Sequence, residues 1–226
     1  MHNLNLVLMK KIILTLLILI TTNTFSQQMY LEGGKTLSSF DYKNSQGERL
    51  DNLQASSHSF MTIGYRNQVF TENLNISLGT SYAGYGAIGS DDSVGNYMEW
   101  DLNYLEMNMG LDYELFKINN LQFYIKGSSS VSFLLQGAQT LNNRIINLNN
   151  QEDFNKTTFD FRAGFGFLFP ASETITLYAQ FMQGRNFSLK EGTANVSSRE
   201  SLRIISKNIG FGVLINLEEV RYRVWN

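Results

Sequence analysis

Apolar and polar side chains alternate with a period of two along most of the chain beyond residue 27. The clearest run is Thr158–Phe169, whose odd positions read Phe, Phe, Ala, Phe, Phe, Phe and whose even positions read Thr, Asp, Arg, Gly, Gly, Leu. Such a period predicts a strand with two chemically opposite faces. Leu105, Met107, Met109, Leu111, Tyr113 and Leu115 alternate in the same way with Glu106, Asn108, Gly110, Asp112 and Glu114. Further runs extend from Leu121 through Ile125 to Leu135 and from Ile209 to Leu217, with weaker ones near 29–40, 57–67, 73–85 and 174–187. Eight strands are predicted.

The connections carry a second pattern. Segments 68–72, 116–120 and 170–173 are short and hold turn formers such as Asn119-Asn120 and Pro170. Segments 41–56, 86–99, 139–156 and 188–200 are long, polar and rich in Asn, Gly, Ser and charge. Short and long connections alternate, so an up-and-down sheet has tight turns at one end and long loops at the other. Both ends of the sheet fall at the tight-turn end.

Ahead of this pattern, Met9-Lys10-Lys11 precedes the apolar run Ile12–Ile20, followed by a polar stretch and small residues at Thr24 and Ser26. This is the layout of a cleaved secretory signal ending at residue 26. The run is about half of the ~20 residues that a membrane-spanning helix needs.

Which way the strand faces point is decided by charge. Asp160 and Arg162 share a face with Gly164 and Gly166, and Glu106, Asp112 and Glu114 share one with Gly110. A soluble barrel or sandwich would bury that face or the Phe-rich one in a dry core, and buried unpaired charges cost several kcal/mol each. A membrane barrel accepts the bulky face against lipid and turns the polar face into its lumen. The prediction is therefore an all-β, eight-stranded, antiparallel up-and-down transmembrane β-barrel with short periplasmic turns and long outer loops, spanning 27–217. Residues 218–226 follow as a tail or an extension of the last strand.

By phase, the lumen network is Glu32, Arg66, Glu106, Asp112, Glu114, Lys126, Asp160 and Arg162, with Lys126 set to pair with acids on the neighbouring strands. Two aromatic girdles are expected at the interfaces: Phe70, Tyr113, Phe116, Phe123 and Phe169 near the short turns, and Tyr82, Tyr85, Tyr97, Trp100 and Tyr104 near the second long loop. Strict alternation also turns Lys35 and Lys207 toward lipid, where a mid-bilayer Lys costs about 2–4 kcal/mol. Snorkelling to an interface or a bulge in the first strand would relieve this.

Thr24-Phe25-Ser26-Gln27, Gly164-Phe165-Gly166-Phe167 and Gly210-Phe211-Gly212-Val213 are the segments through which the chain resembles small outer-membrane β-barrels of Gram-negative bacteria. The PorT-like group is the nearer resemblance and OmpA-type eight-stranded barrels the looser one. The resemblance implies an outer-membrane location, a role as an envelope, surface-presenting or secretion-accessory component, and envelope or secretion-machinery proteins as partners. Such barrels commonly end in an aromatic residue on the last strand. Here that strand ends at Leu217, and Trp225 stands next to last.

Composition narrows the chemistry. With 226 residues, net charge −2, no cysteine and a single proline, the chain has no basic field for nucleic acid, no thiolate metal site and no disulfide framework. The expected partners are outer-membrane lipids around a monomeric barrel, with no cofactor and no metal. His58 among Ser56, Ser57 and Ser59, with Asp91 and Asp92 within reach, is the one constellation suggestive of catalysis at the rim. The acids Glu48, Asp51, Asp91, Asp92, Glu99 and Asp101 lack the spacing of a calcium loop. Asn155, Asn186 and Asn195 match a glycosylation triplet. The leading reading is a non-enzymatic envelope barrel; a small-solute pore or ligand-binding barrel is the alternative, ahead of an outer-leaflet enzyme.

Overall fold

The computed structural model describes residues 27–43, 52–91, 96–150, 156–188 and 201–217. The signal sequence expected over 1–26 and the tail 218–226 lie outside the described residues. The strands are β1 (Gln28–Lys43), β2 (Leu53–Gln68), β3 (Leu74–Asp91), β4 (Asn96–Ile118), β5 (Leu121–Leu141), the short β6 (Arg144–Asn147), β7 (Thr157–Pro170), β8 (Ile175–Ser188) and β9 (Ser201–Asn216). Eight of them form the wall in the order β4-β3-β2-β1-β9-β8-β7-β5, and a β4–β5 pairing closes the ring. Every pairing is antiparallel.

Tight turns join the strands at one end. A two-residue link, Asn119-Asn120, connects β4 to β5, with Asn119 at positive φ; asparagine tolerates that region better than most residues. Gln28 pairs with Asn216, so the first and last strands begin and end at the same rim. At the opposite rim the strands run further than the apolar alternation indicates. Segment 86–99, read as a loop, is mostly ladder: Gly86 pairs with Asp101 and Asp91 with Asn96. Beyond it, Asn142 and Asn143 both take positive φ and turn β5 back into β6, as a two-residue type I′ hairpin requires.

β1 keeps an uninterrupted register with both β2 and β9, so no bulge resets its phase. The irregularities lie elsewhere, between Ala55 and Phe60 of β2 and at two points of the β4–β5 ladder. At the first, residues 56–59 pair with β1 but leave β3, and the His58 side chain seats on Gly84 and Gly86. A Cβ on Gly84 would stand 2.9 Å from His58 Cβ, and one on Gly86 2.6 Å from its Nε2. The backbone that β2 abandons is capped instead by Ser38, whose hydroxyl donates to Gly86 O at 2.9 Å and accepts from Gly86 N at 2.8 Å.

Gly84→Ala, overpacking against His58, and Gly86→Ala, overpacking against the Trp100 carbonyl and His58, are each expected to lower stability by about 1–3 kcal/mol. Gly127→Ala, where an added Cβ meets nothing within 4 Å, is expected to stay within ~0.5 kcal/mol of the parent. Urea titration of the folded, fast-migrating band in lipid vesicles compares the three.

Candidate functional site: a filled and stoppered lumen

Alternation places the predicted polar face inside. Glu32, Arg66, Glu106, Asp112 and Asp160 are buried, Glu114, Lys126 and Arg162 partly so, and all eight lie on lumen-facing positions of their strands. They form two clusters with a cavity between them. In the upper cluster Arg162 grips Glu106 with both terminal nitrogens, at 3.0 and 2.7 Å. Tyr85 donates to Glu106 at 2.5 Å and accepts from Arg162 at 2.6 Å. Ser132 donates to Asp160 at 2.7 Å, whose other oxygen lies 3.8 Å from Arg162. One cation thus serves two carboxylates, with hydroxyls supplying the remaining donors.

The lower cluster repeats this logic near the short turns. Arg66 donates from Nε and Nη2 to Asp112 Oδ2 at 2.9 and 2.6 Å, and from Nη2 to Glu114 at 2.9 Å. Its remaining terminal nitrogen donates to Gln28 at 2.9 Å. Lys126 departs from the predicted pairing. It stands opposite Asp112 in the ladder, but that carboxylate is committed to Arg66, and Glu106 is committed to Arg162. The Lys126 ammonium instead sits 5.8 Å from the Tyr30 ring centroid, a cation–π distance. Across the lumen, Glu32 accepts from Tyr178 at 3.1 Å and from Gln180 at 2.8 Å.

Aromatic and aliphatic side chains close both ends. Toward the short turns, Tyr30, Tyr124, Leu168, Tyr178 and Leu214 pack together. Toward the long-loop rim, Phe40, Tyr85, Trp100, Leu102, Tyr104, Leu148 and Ile204 form a second cluster. Here three girdle assignments are corrected: Tyr85, Trp100 and Tyr104 are 2%, 5% and 1% exposed and fill the lumen rather than ring the outer wall. Their strand phase is the reason, since β4 turns its even positions inward and β3, here, its odd ones. Phe40 meets Trp100 edge-on at 5.6 Å, and Tyr85 meets Tyr104 at 5.8 Å. The same count along β4 from Glu106 through Tyr104 and Leu102 to Trp100 would have located this stopper; Leu148, arriving from the β6 hairpin, carries no such signal.

The other girdle residues face outward. Tyr82, Tyr97, Tyr113, Phe116 and Phe169 are exposed, and Phe123 stacks on Phe116 at 5.1 Å. Phe70 sits in the β2–β3 turn at positive φ, 98% exposed. Tyr97 lies on the part of β4 above the apolar wall, where its hydrogen bond to Glu99 holds the phenol proton and raises its pKa above the ordinary value.

Between the stoppers one cavity measures about 60 Å³, lined by Glu32, Thr62, Asn108 and Lys126 among others, and a second about 20 Å³. That is room for a few water molecules and far below the ~300 Å³ of a small-molecule site.

At the rim, His58 Nε2 lies 2.8 Å from Ser56 Oγ, while Nδ1 is 3.8 Å from Asp101 Oδ1. The second distance is too long for the hydrogen bond that orients a catalytic base. Asp92 and the side chain of Asp91 are outside the described residues, as are Glu48 and Asp51. No group of three metal-ligating side chains occurs among the described residues. Asn186 is 3% exposed inside the barrel and accepts the Ile204 amide at 2.5 Å, so it is inaccessible to a glycosylating enzyme. Asn155 and Asn195 are not described.

The sequence matches, over residues 24–188, the family described as outer membrane protein beta-barrel domain. No curated protein matches the chain. Among solved structures, Neisserial surface protein A is similar at 10% identity and a TM-score of 0.47, covering 84% of this chain and 97% of its own. OprG of Pseudomonas aeruginosa is similar at 12% identity and 0.45, covering 84% and 97%. The outer membrane protease OmpT of Escherichia coli follows at 9% identity and 0.43, covering 86% and 98%.

Removing one partner of the upper cluster strands the others. Arg162→Met is expected to cost about 3–5 kcal/mol by leaving Glu106 and Asp160 uncompensated. Adding Glu106→Gln to it should recover part of that loss. Unfolding midpoints of the parent, single and double variants in vesicles test the order.

Proposed function

This chain belongs to the outer membrane protein beta-barrel domain family, and from that premise we propose that it is a closed, non-enzymatic barrel that presents structure at the cell surface. The observation that carries the reading is the double closure of the lumen. Side chains from β1, β3, β4 and β9, together with Leu148, fill the long-loop end, and Tyr30, Tyr124 and Tyr178 help fill the other. An eight-stranded ring is just wide enough for side chains to occupy its interior. Here they do so with charge pairs that would have to break before a solute passed.

What the barrel holds up supports the presenting role. β4 and β5 are its longest strands, with 23 and 21 residues, and their ladder continues from Ile118↔Leu121 to Met98↔Leu141. At ~3.4 Å per residue and a tilt of ~40°, β4 climbs about 57 Å, more than twice the ~25 Å apolar band of such barrels. β3 runs beside β4 to its end, Asp91↔Asn96, and β6 adds a further strand on the other side, with Ile145 76% exposed. Envelope or secretion-machinery proteins are the partners this projection would offer itself to.

Two measurements test the reading. Because the chain has no native cysteine, Ile145→Cys is expected to react with a membrane-impermeant maleimide on intact cells, and Phe70→Cys only after the envelope is opened. In planar bilayers the purified barrel is expected to show no conductance steps. Steps from the unaltered protein whose ion selectivity shifts in Lys126→Gln would replace the proposal with a pore.

A further inference from the structure

The outward cations raise a question that lumen packing leaves unanswered. Lys35, Lys207, Arg185 and Arg203 all occupy outward positions, and they lie on three adjoining strands, β1, β9 and β8. Lys35 stands opposite Ile209, so Lys207 is its diagonal neighbour across the β1–β9 ladder. Lys207 stands opposite Gln183 and Ile205 opposite Arg185, so Arg185 is diagonal to Lys207. Arg203, two residues from Ile205 on the same strand, is diagonal to Arg185 in turn. Diagonal neighbours in such ladders are about 7–8 Å apart, so the four cations form one zigzag across the wall.

Height gives the zigzag its meaning. On the strand rise and tilt used above, Lys35 stands about 18 Å and Lys207 about 23 Å above the short-turn rim, with Arg185 near 26 Å and Arg203 near 34 Å. Below them the same three strands present Leu31, Leu177, Phe211 and other apolar side chains to lipid. Arg185 and Arg203 therefore stand at or above the end of an apolar band of ~25 Å, Lys207 lies just inside it, and the lowest, Lys35, is long enough to snorkel upward, with Leu37, Ile205 and Phe187 set among them. On β1, β8 and β9 Asp41 is the one outward acid among the described side chains, and its carboxylate meets Arg185 at 2.7 Å. Lys207 and Arg203 form no hydrogen bond or ion pair with another described side chain. On β4, at the corresponding rim, the outward charges are Glu99 and Asp101. Among the described side chains the outward charge at this rim is thus basic on β1, β8 and β9, Asp41 apart, and acidic on β4.

We propose that Lys35, Lys207, Arg185 and Arg203 form a docking strip for the phosphorylated headgroup of an outer-leaflet glycolipid whose acyl chains lie along the apolar wall beneath. Spacing, height and charge each fit this occupant. A phosphate set between two diagonal cations is reached by both flexible side chains, and Arg offers it paired donors. The acyl chains find Phe211, Ile209 and Phe181 directly below.

The full chain in lipid nanodiscs tests the strip, with bisphosphorylated lipid A, dephosphorylated lipid A and inorganic phosphate as probes and native mass spectrometry as the readout. Bisphosphorylated lipid A is expected to be retained and the dephosphorylated form lost. The Lys207→Gln/Arg203→Gln pair, chosen because neither side chain supports the fold, should weaken retention about thirtyfold at two cations of roughly fivefold each. Equal retention of both lipids would overturn the proposal in favour of acyl-chain contact alone. Retention of inorganic phosphate as strong as that of lipid A would overturn the headgroup assignment. If the double variant fails to show its heat-modifiable band, the comparison of lipids on the unaltered protein still decides.

Discussion

Hydrocarbon offers no hydrogen bond, so every backbone amide and carbonyl in a membrane-crossing sheet must find its partner within the sheet. The β4–β5 pairing is where this chain meets that demand, because it converts an eight-stranded ribbon with two raw edges into a ring. The rest follows from the diameter so fixed. A ring of eight leaves a lumen too narrow for an aqueous channel and too wide to leave empty. Side chains fill it by matching large against small. Tyr30 lies over Gly64 and Gly79, Tyr124 over Gly166, and Tyr178 over Gly212. Where rings do not fill it, ion pairs do, each guanidinium shared between two carboxylates.

The wall was legible in the sequence because lipid and lumen impose opposite chemistries on alternate residues. Phe159–Phe169 on β7 and Leu105–Leu115 on β4 carry that contrast without a break, and their phase assigns Glu106, Asp112, Asp160 and Arg162 to the inside. The contrast fades above the bilayer. There both faces meet water or other protein, so Gly86–Ser90 reads as a polar loop although it continues the β3–β4 ladder. For the same reason Tyr85, Trp100 and Tyr104 read as an interfacial belt. Proximity to a predicted loop is a poor guide to facing, and counting by twos from Glu106 is a good one. The partners of Lys126 were beyond reach for a different reason. Which cation an acid chooses depends on side-chain reach across the lumen, and Arg66 reaches Asp112 from two strands away.

The local departure of β2 from β3 shows how the ring tolerates a flaw. Four residues of β2 lose their β3 partners, yet the Gly86 backbone that β2 leaves is capped by Ser38 and the gap is occupied by His58. Two glycines make this possible by giving up the volume that the imidazole needs. His58 therefore has a structural reason to be where it is. Its contact with Ser56 follows from two side chains that share one face of a strand and need imply no reaction.

Taken with the closed lumen, these features divide the molecule by height. The lower part is a sealed cylinder whose interior is stabilised by paired charge and whose exterior is apolar. At the upper edge of that exterior the wall changes sign from strand to strand, basic over β8, β9 and β1, acidic over β4. Above it β3, β4, β5 and β6 continue furthest as a sheet rooted in the stopper through Leu148, Trp100 and Leu102. Leu148, Trp100 and Leu102 thus both fill the upper lumen and pack at the foot of that sheet. A wider lumen would leave those side chains without the facing strands they pack against, so in a ring of eight the filling of the lumen and the footing of the sheet are one arrangement.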